Sequence, residues 1–382
     1  MKRIMVLWLA VLLLLTGCAQ ASDTPGQAWY TDAAVSVDEQ QLQSIFATEF
    51  TPANNVILMI ADGMGPNDMI LAQQYVPECF DFGLVMNQIP CHGLATTHSA
   101  DNKITDSAAA ATALATGEKT DNGRIGMSSE LSCLTNLCEI ARQEGKKIGI
   151  VTTDYVTGAT PTAFCVHNVS RKNTGELASA MVALAPDVLI GQKYNHFAKN
   201  LKQKDLDILQ QYALAKDVRQ FNRVLSSDPQ ASHPFFGFAD TFNRTRVDNT
   251  LANCTRTALR RLENEQGFFL MIEHSGPDKA GHDNDMSAKL NSVVSFDRAV
   301  AVVLEFMKEN PDTLLIITSD HETGGVTLPQ GNEAPDNKLF TTDEHTGIPV
   351  RVFALGVGAD SFDGKTVDNT DIAKVIQNTL KK

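Results

Sequence analysis

"NVILMIAD", residues 55–62, is an apolar run closed by an acid. It is too short to cross a membrane and has no polar face, which is the composition of a strand buried on both sides of a sheet. "KKIGIVTTD" (146–154), "GFFLMIE" (267–273) and "TLLIITSD" (313–320) repeat the pattern. Between these runs the spacing turns helical: "CLTNLCEIARQEG" (133–145) stops at Gly145, and residues 286–309 read as one long helix. Strands alternating with helices predict an α/β fold, with a large, mostly parallel central β-sheet and helices on both faces. The 382 residues hold no repeat, low-complexity stretch or internal linker, so residues 46–382 read as a single domain. Residues 190–250, which include "HPFFGFADTFNR", are the least regular part and are expected to cover or border a site.

The N-terminus, "MKRIMVLWLAVLLLLTGCAQ", has a basic start and an apolar core too short for a comfortable span. Leu15-Thr16-Gly17-Cys18 resembles a bacterial lipoprotein processing box, which predicts a signal peptide over 1–17 and lipidation of Cys18. An ordinary secretory signal is the alternative, and either predicts export. The lipoprotein reading places the protein in the periplasm or cell envelope, on the outer membrane rather than the inner, attached only through Cys18. Residues 18–45 then serve as a tether. Six further cysteines suit an exported chain, with Cys79–Cys91 and Cys133–Cys138 preferred as local pairs. A net charge of −13 argues against nucleic acid or an anionic membrane face as the main partner.

The strand ends are more telling. Asp62, Glu273 and Asp320 each close a buried run, and ligands of open α/β sheets bind at the carboxyl ends of strands. One acid there is an ordinary turn former. Several converging on one edge repel unless cations lie between them. Histidines join them: Asp278 and His282 are four apart, His321 follows Asp320, and His345 precedes the apolar run "PVRVFALG". Mixed imidazole and carboxylate donors suit zinc, and all-oxygen sets suit magnesium. In "KITDSAAAATALATG" (103–117), Asp106 and Ser107 open an alanine-rich helix that Gly117 stops. They are either its cap or a nucleophile held at a helix start.

Taken in order, "DGMG" (62–65), "SADNKITDSAAAATALATGEKTDNGRIGM" (99–127), "TTDYVTGATPTAFCVHNVSR" (152–171), "EHSGPDKAGHDND" (273–285), "TSDHETGG" (318–325) and "EHTGIPVRVFALGVGAD" (344–360) resemble the alkaline phosphatases. The resemblance covers residues 54–382. It implies hydrolysis of small phosphate monoesters through a phosphoserine on Ser107, with two zinc ions, one magnesium ion and a possible homodimer. Asp278, His282 and His345 would hold one zinc, and Asp62, Asp320 and His321 the second. Asp62, Thr160 and Glu273 would hold magnesium. Arg171 would clamp two phosphate oxygens, because its planar fork matches phosphate as lysine cannot.

The chain also departs from the family's pattern. Gly158 stands where an Asp or His is usual near the third metal, and His274 and Pro277 replace Gly and Ile. Lys279 either reaches phosphate through water or is simply solvated. A sulfatase is disfavoured because Ser107 is followed by alanines, and a phosphodiesterase because it has no use for a clamp on two free oxygens. A non-catalytic metal- or phosphate-binding lipoprotein would not need Ser107.

Overall fold

The computed structural model describes residues 35, 37–227, 234–331 and 333–381. The predicted signal peptide, Cys18 and most of the tether lie outside the described residues. Residues 39–45, expected to be part of a tether, are helical. A helix over Glu39–Phe46, capped by Asp38, buries Leu42 and Ile45 in the main core, together with Val35 and Val37. An amphipathic stretch of only two turns was too short to separate from polar chain.

In chain order the strands are β1 (Asn55–Ala61), β2 (Cys91–Thr96), β3 (Lys147–Tyr155), β4 (Val188–Gln192), β5 (Ala213–Ala215), β6 (Phe235–Phe238), β7 (Phe268–His274), β8 (Thr313–Thr318), β9 (Glu322–Thr323), β10 (His345–Thr346), β11 (Val350–Leu355) and β12 (Thr366–Asp368). Ten of them form one sheet in the order β12-β2-β11-β8-β1-β7-β3-β4-β6-β5, while β9 and β10 pair separately. The sheet is mostly parallel. β11 is the exception, running antiparallel to both β8 and β2.

The apolar run over residues 55–62 supplies the central strand. β1 pairs in parallel with β7 on one side and β8 on the other. Successive side chains of a strand point to opposite faces. Ile57 and Met59 therefore pack into the layer holding the Met286–Glu309 and Thr250–Leu262 helices, while Val56, Leu58 and Ile60 join the opposite layer. That second layer holds the Ser107–Thr116, Leu137–Gln143 and Asn369–Leu380 helices. Burial on both faces is why these strands read as continuous apolar runs.

Residues 190–250 are more regular than expected. β4, β5 and β6 finish the far side of the sheet, linked by helices over Tyr194–Ala198, Gln203–Leu209 and Val218–Ser227. Strands of three to five residues between charged helices leave no periodicity to read. The helix expected from Cys133 begins at Leu137, where Asn136 accepts a hydrogen bond from the Glu139 N–H at 3.0 Å.

The cysteine pairing is corrected as well. All six described cysteines are free. Cys138 faces Cys165 with the sulfurs 3.9 Å apart, well beyond a covalent bond, and Cys133 is exposed. Nearness in sequence is overridden because the helix turns Cys138 into the core.

Candidate active site

The carboxyl ends of β1, β7 and β8 lie side by side, so Asp62, Glu273 and Asp320 converge as their positions in sequence implied. The turn after β1 holds Gly63 at φ +74°, and a Cβ there would stand 2.5 Å from the Asp278 backbone. Glycine is thus required for this turn to nest against the Gly276–His282 helix. That helix presents Asp278 and His282 on one face, with Asp278 Oδ1 3.4 Å from His282 Nε2. His345, on β10, brings its Nε2 to 3.4 Å from the same oxygen. Asp62, Asp320 and His321 form a second group, and the ligand atoms within each group lie within 4.8 Å of one another. These are the sets expected for the two zinc ions.

Each histidine is oriented from behind. His345 Nδ1 bonds the Thr105 carbonyl at 2.9 Å, and His282 Nδ1 bonds the Asp343 carbonyl at 2.6 Å. A carbonyl only accepts, so both Nδ1 atoms carry a proton and Nε2 is the atom each ring turns toward the cluster. Those two nitrogens face each other at 3.2 Å. Thr323 sets the third, since its hydroxyl donates to Asp278 Oδ1 at 2.6 Å and its oxygen takes His321 Nδ1 at 3.2 Å. His321 Nε2 is then bare toward Asp320 Oδ2 at 3.2 Å and Asp62 Oδ1 at 3.6 Å.

The buried donors are left without protons to share. Asp62 Oδ1, Asp320 Oδ2 and Thr160 Oγ1 are buried with no hydrogen-bond partner. Burial, then the charges of Asp320, Asp278 and Glu273, holds the Asp62 carboxyl well above its ordinary range. Burial and then Asp278 push Asp320 to about 6, and burial and then Asp154 push Glu273 to about 7. Burial also acts to raise Asp278, but hydrogen bonding to His345, the His321 charge and the Thr323 hydroxyl outweigh it, and that carboxyl lies below its usual range. Bare imidazole nitrogens and crowded carboxylates fit divalent cations, which remove the repulsion and satisfy the orphaned atoms.

A pH dependence follows. Asp320 and Glu273 bind protons more tightly folded than unfolded, where 3.8 and 4.5 apply. The metal-free fold therefore loses stability as pH rises from about 4 to about 7. Chelated protein should show a melting temperature that falls across that window, while metal-loaded protein should not. Parallel profiles in a pH series of thermal scans would contradict this.

Ser107 stands at a helix start, as its position implied. It is the first residue of the buried Ser107–Thr116 helix, while Asp106 is the cap, accepting from the Ala109 N–H at 2.9 Å. Ser107 Oγ lies 3.2 Å from His321 Nε2. The helix ends at Gly117 in the left-handed region, at φ +80°. Asp106 also holds Arg171, with its Oδ2 3.0 Å from Nη1. Arg171 thus stands beside the serine, and its charge adds to burial and His345 in lowering the His321 pKa.

One group escaped the reading of the sequence. Lys289, on the Met286–Glu309 helix, is fully buried. It donates to the carbonyls of Gly63, Pro277 and Thr323 at 3.0, 3.2 and 2.8 Å, and pairs with Asp68 at 3.2 Å. One ammonium therefore ties together the turns bearing Asp62, Asp278 and His321. A lysine inside an apolar helical pattern was the available signal. Asp154, which with His274 is a candidate to supply the contact missing at Gly158, has its Oδ2 3.4 Å from where a Cβ on Gly158 would be, and its Oδ1 takes Lys279 Nζ at 2.6 Å. Lys279 is thus paired rather than merely solvated.

The family model described as alkaline phosphatase matches residues 53–210 and 237–338. The chain belongs to the alkaline phosphatase family. Phosphate monoester hydrolysis is the activity that goes with membership. Alkaline phosphatase 4 of Bacillus subtilis is 35% identical, over 86% of this chain and 88% of that protein. Streptomycin-6-phosphate phosphatase of Streptomyces griseus is 31% identical, over 86% and 91%. Among solved structures, a variant of the alkaline phosphatase from the Antarctic bacterium TAB5 superposes with a TM-score of 0.74 at 30% identity, covering 87% of this chain and 99% of that one. That alkaline phosphatase variant has magnesium bound in its M3 site.

Proposed function

We propose that this alkaline phosphatase acts through a phosphoserine on Ser107, at a centre for two zinc ions and one magnesium ion. The observation that carries the reading is the place of Ser107 Oγ, buried at a helix start 3.2 Å from the bare Nε2 of His321. Asp278, His282 and His345 would hold one zinc, and Asp62, Asp320 and His321 the other. Asp62, Thr160 and Glu273 would hold magnesium. Bound cations supply Lewis-acid stabilisation of the attacking and leaving oxygens.

The chain's own residues do the rest. Arg171, fixed by Asp106, takes two non-bridging oxygens of the phosphate in its fork. Ser107 Oγ attacks phosphorus in line, forming the P–Oγ bond as the bond to the alcohol breaks, while the Ser107 hydroxyl proton passes by way of solvent to the departing alcohol oxygen. Water then attacks the phosphoserine, releasing inorganic phosphate and restoring the hydroxyl. Hydrolysis of a chromogenic monoester against a diester, with and without chelator, tests the assignment. Chelator-resistant turnover or a preference for the diester would sink it.

Arg171→Ala should cost monoester turnover about 100-fold or more, the scale of removing a preorganised charge contact. Residual diester hydrolysis should fall much less, because a diester offers one fewer free oxygen. Equal losses in kcat/KM on both substrates would remove the clamp from the scheme.

At the third site we infer that Asp154 takes the place that Gly158 leaves open. Thr152 couples it to the site, since its hydroxyl donates to Glu273 and accepts the Asp154 N–H at 2.8 Å. Asp154→Ala should weaken magnesium uptake by zinc-loaded protein about 10-fold, read by calorimetry. Gly158→Asp should bring no gain, because its Cβ would lie 3.0 Å from the Tyr155 carbonyl and its carboxylate against that of Asp154. Stronger magnesium binding in Gly158→Asp would reverse the assignment.

A further inference from the structure

At the carboxyl ends of β3, β4 and β7 lies a cavity of about 170 Å³. None of Asp62, Asp278, His282, Asp320, His321 and His345 lines it. Its walls include Arg244 and Asn243 from the stretch after β6, Lys279 and Ser275 from the turn after β7, and His274 with Thr153. His274 is 6% exposed, and its Nε2 is buried with no hydrogen-bond partner. A buried polar atom left open at the wall of a cavity is a costly arrangement unless something fills it.

The hydroxyl network says what kind of group is left open. Ser275 Oγ already accepts Lys279 Nζ at 3.1 Å, and Thr153 Oγ1 lies 3.1 Å from it. Thr153 Oγ1 also accepts the Ser275 N–H at 2.8 Å and lies 2.9 Å from His274 Nδ1. Two proton orders fit: either Ser275 donates to Thr153 and Thr153 to His274 Nδ1, or His274 Nδ1 donates to Thr153 and Thr153 to Ser275. The first leaves the Nε2 proton without an acceptor, and the second leaves the Ser275 hydroxyl proton without one. Either way one donor is left open, and it shares the cavity with a guanidinium and an ammonium.

The nearby acids do not block the cavity. Asp283 pairs with Arg244 at 3.2 Å and Asp154 with Lys279 at 2.6 Å, each leaving further N–H groups on the cation. Asp248, which also lines the cavity, has its oxygens committed to the N–H groups of Asn243 at 3.2 Å and Thr250 at 2.5 Å.

We propose that this cavity is a second oxyanion site, taking a small phosphate, sulfate or carboxylate between Arg244, Lys279 and the open donor of the His274–Ser275 pair. Arg244 supplies a fork and Lys279 a point charge, and that open donor fixes the third contact. The assignment does not depend on Ser107 chemistry, because it involves a different arginine and none of the zinc ligands.

Calorimetric titration of inorganic phosphate into the metal-loaded protein tests it. Wild type should bind two phosphates per chain. Arg171→Ala should lose one event and keep the other. Arg244→Ala should weaken the other about 10-fold or more, and so should His274→Phe, while the first remains. Repeating the titration with sulfate and with acetate separates a tetrahedral ion from a carboxylate, and binding of either kind supports the site. A single phosphate in wild type, or a second event unchanged in both Arg244→Ala and His274→Phe, would overturn the proposal. Loss of the Arg171-dependent event alone would count against the proposed reaction and leave this site standing.

Discussion

Ser107→Ala should abolish phosphoenzyme formation and reduce monoester turnover by about 10⁴-fold or more, the scale seen when a nucleophile is removed from an otherwise intact site. The fold should be almost indifferent to the change. The helix keeps its cap, because Asp106 rather than Ser107 accepts from the Ala109 N–H. Only the 3.2 Å contact of Oγ with His321 is lost. The carboxylate and imidazole donors remain, so metal content should equal that of wild type. Acid quenching during turnover of a ³²P-labelled monoester, followed by mass spectrometry, reads the result. Label retained on the variant would mean that another side chain is the nucleophile. Lost label together with lost metal would mean that Ser107 serves the metal centre rather than the phosphorus.

Asp320→Asn should act in opposite directions on activity and on metal-free stability. Asp320 is fully buried beside Asp62, and its carboxyl is pushed from 3.8 to about 6, by burial first and Asp278 next. Ionising it at pH 8 without a cation therefore costs the fold roughly 3 kcal/mol, at 1.36 kcal/mol per pKa unit. An amide removes that charge and keeps an oxygen for the N–H groups of Gly63 and His321, bonded at 3.2 and 3.0 Å. Chelated Asp320→Asn should melt above chelated wild type at pH 8, with the gap closing toward pH 4. With metals supplied, the variant should lose turnover by about 10³-fold, several kcal/mol of charge stabilisation. A metal-free variant less stable than wild type at pH 8 would show that Asp320 is satisfied by the protein alone.

Much of this was legible along the chain because parallel strands buried on both faces leave continuous apolar runs. β1, β3, β7 and β8 announce themselves, and the acids closing β1, β7 and β8 mark the sheet edge where a ligand binds. The Asp278–His282 spacing is local helical geometry, so it too could be read directly. Other features left no such trace. β5 and β6 are three and four residues long, and the antiparallel course of β11 has no signature in its own residues.

Read along the chain, the fold class was plain, and the acids and histidines that come together in two clusters could be named as candidates, as could Ser107 and Arg171. Short-range periodicity and motif order encode all of these. The tertiary structure alone decided which partner each group meets. It paired Cys138 with the neighbourhood of Cys165, gave Asp106 to Arg171, and placed Asp154 beside Gly158. It also buried Lys289 against three turns and left His274 Nε2 open on a cavity. Such contacts join residues far apart in the chain or depend on the packing of side chains around a buried atom. Burial and electrostatics act across that packed space, which no local pattern of residues records.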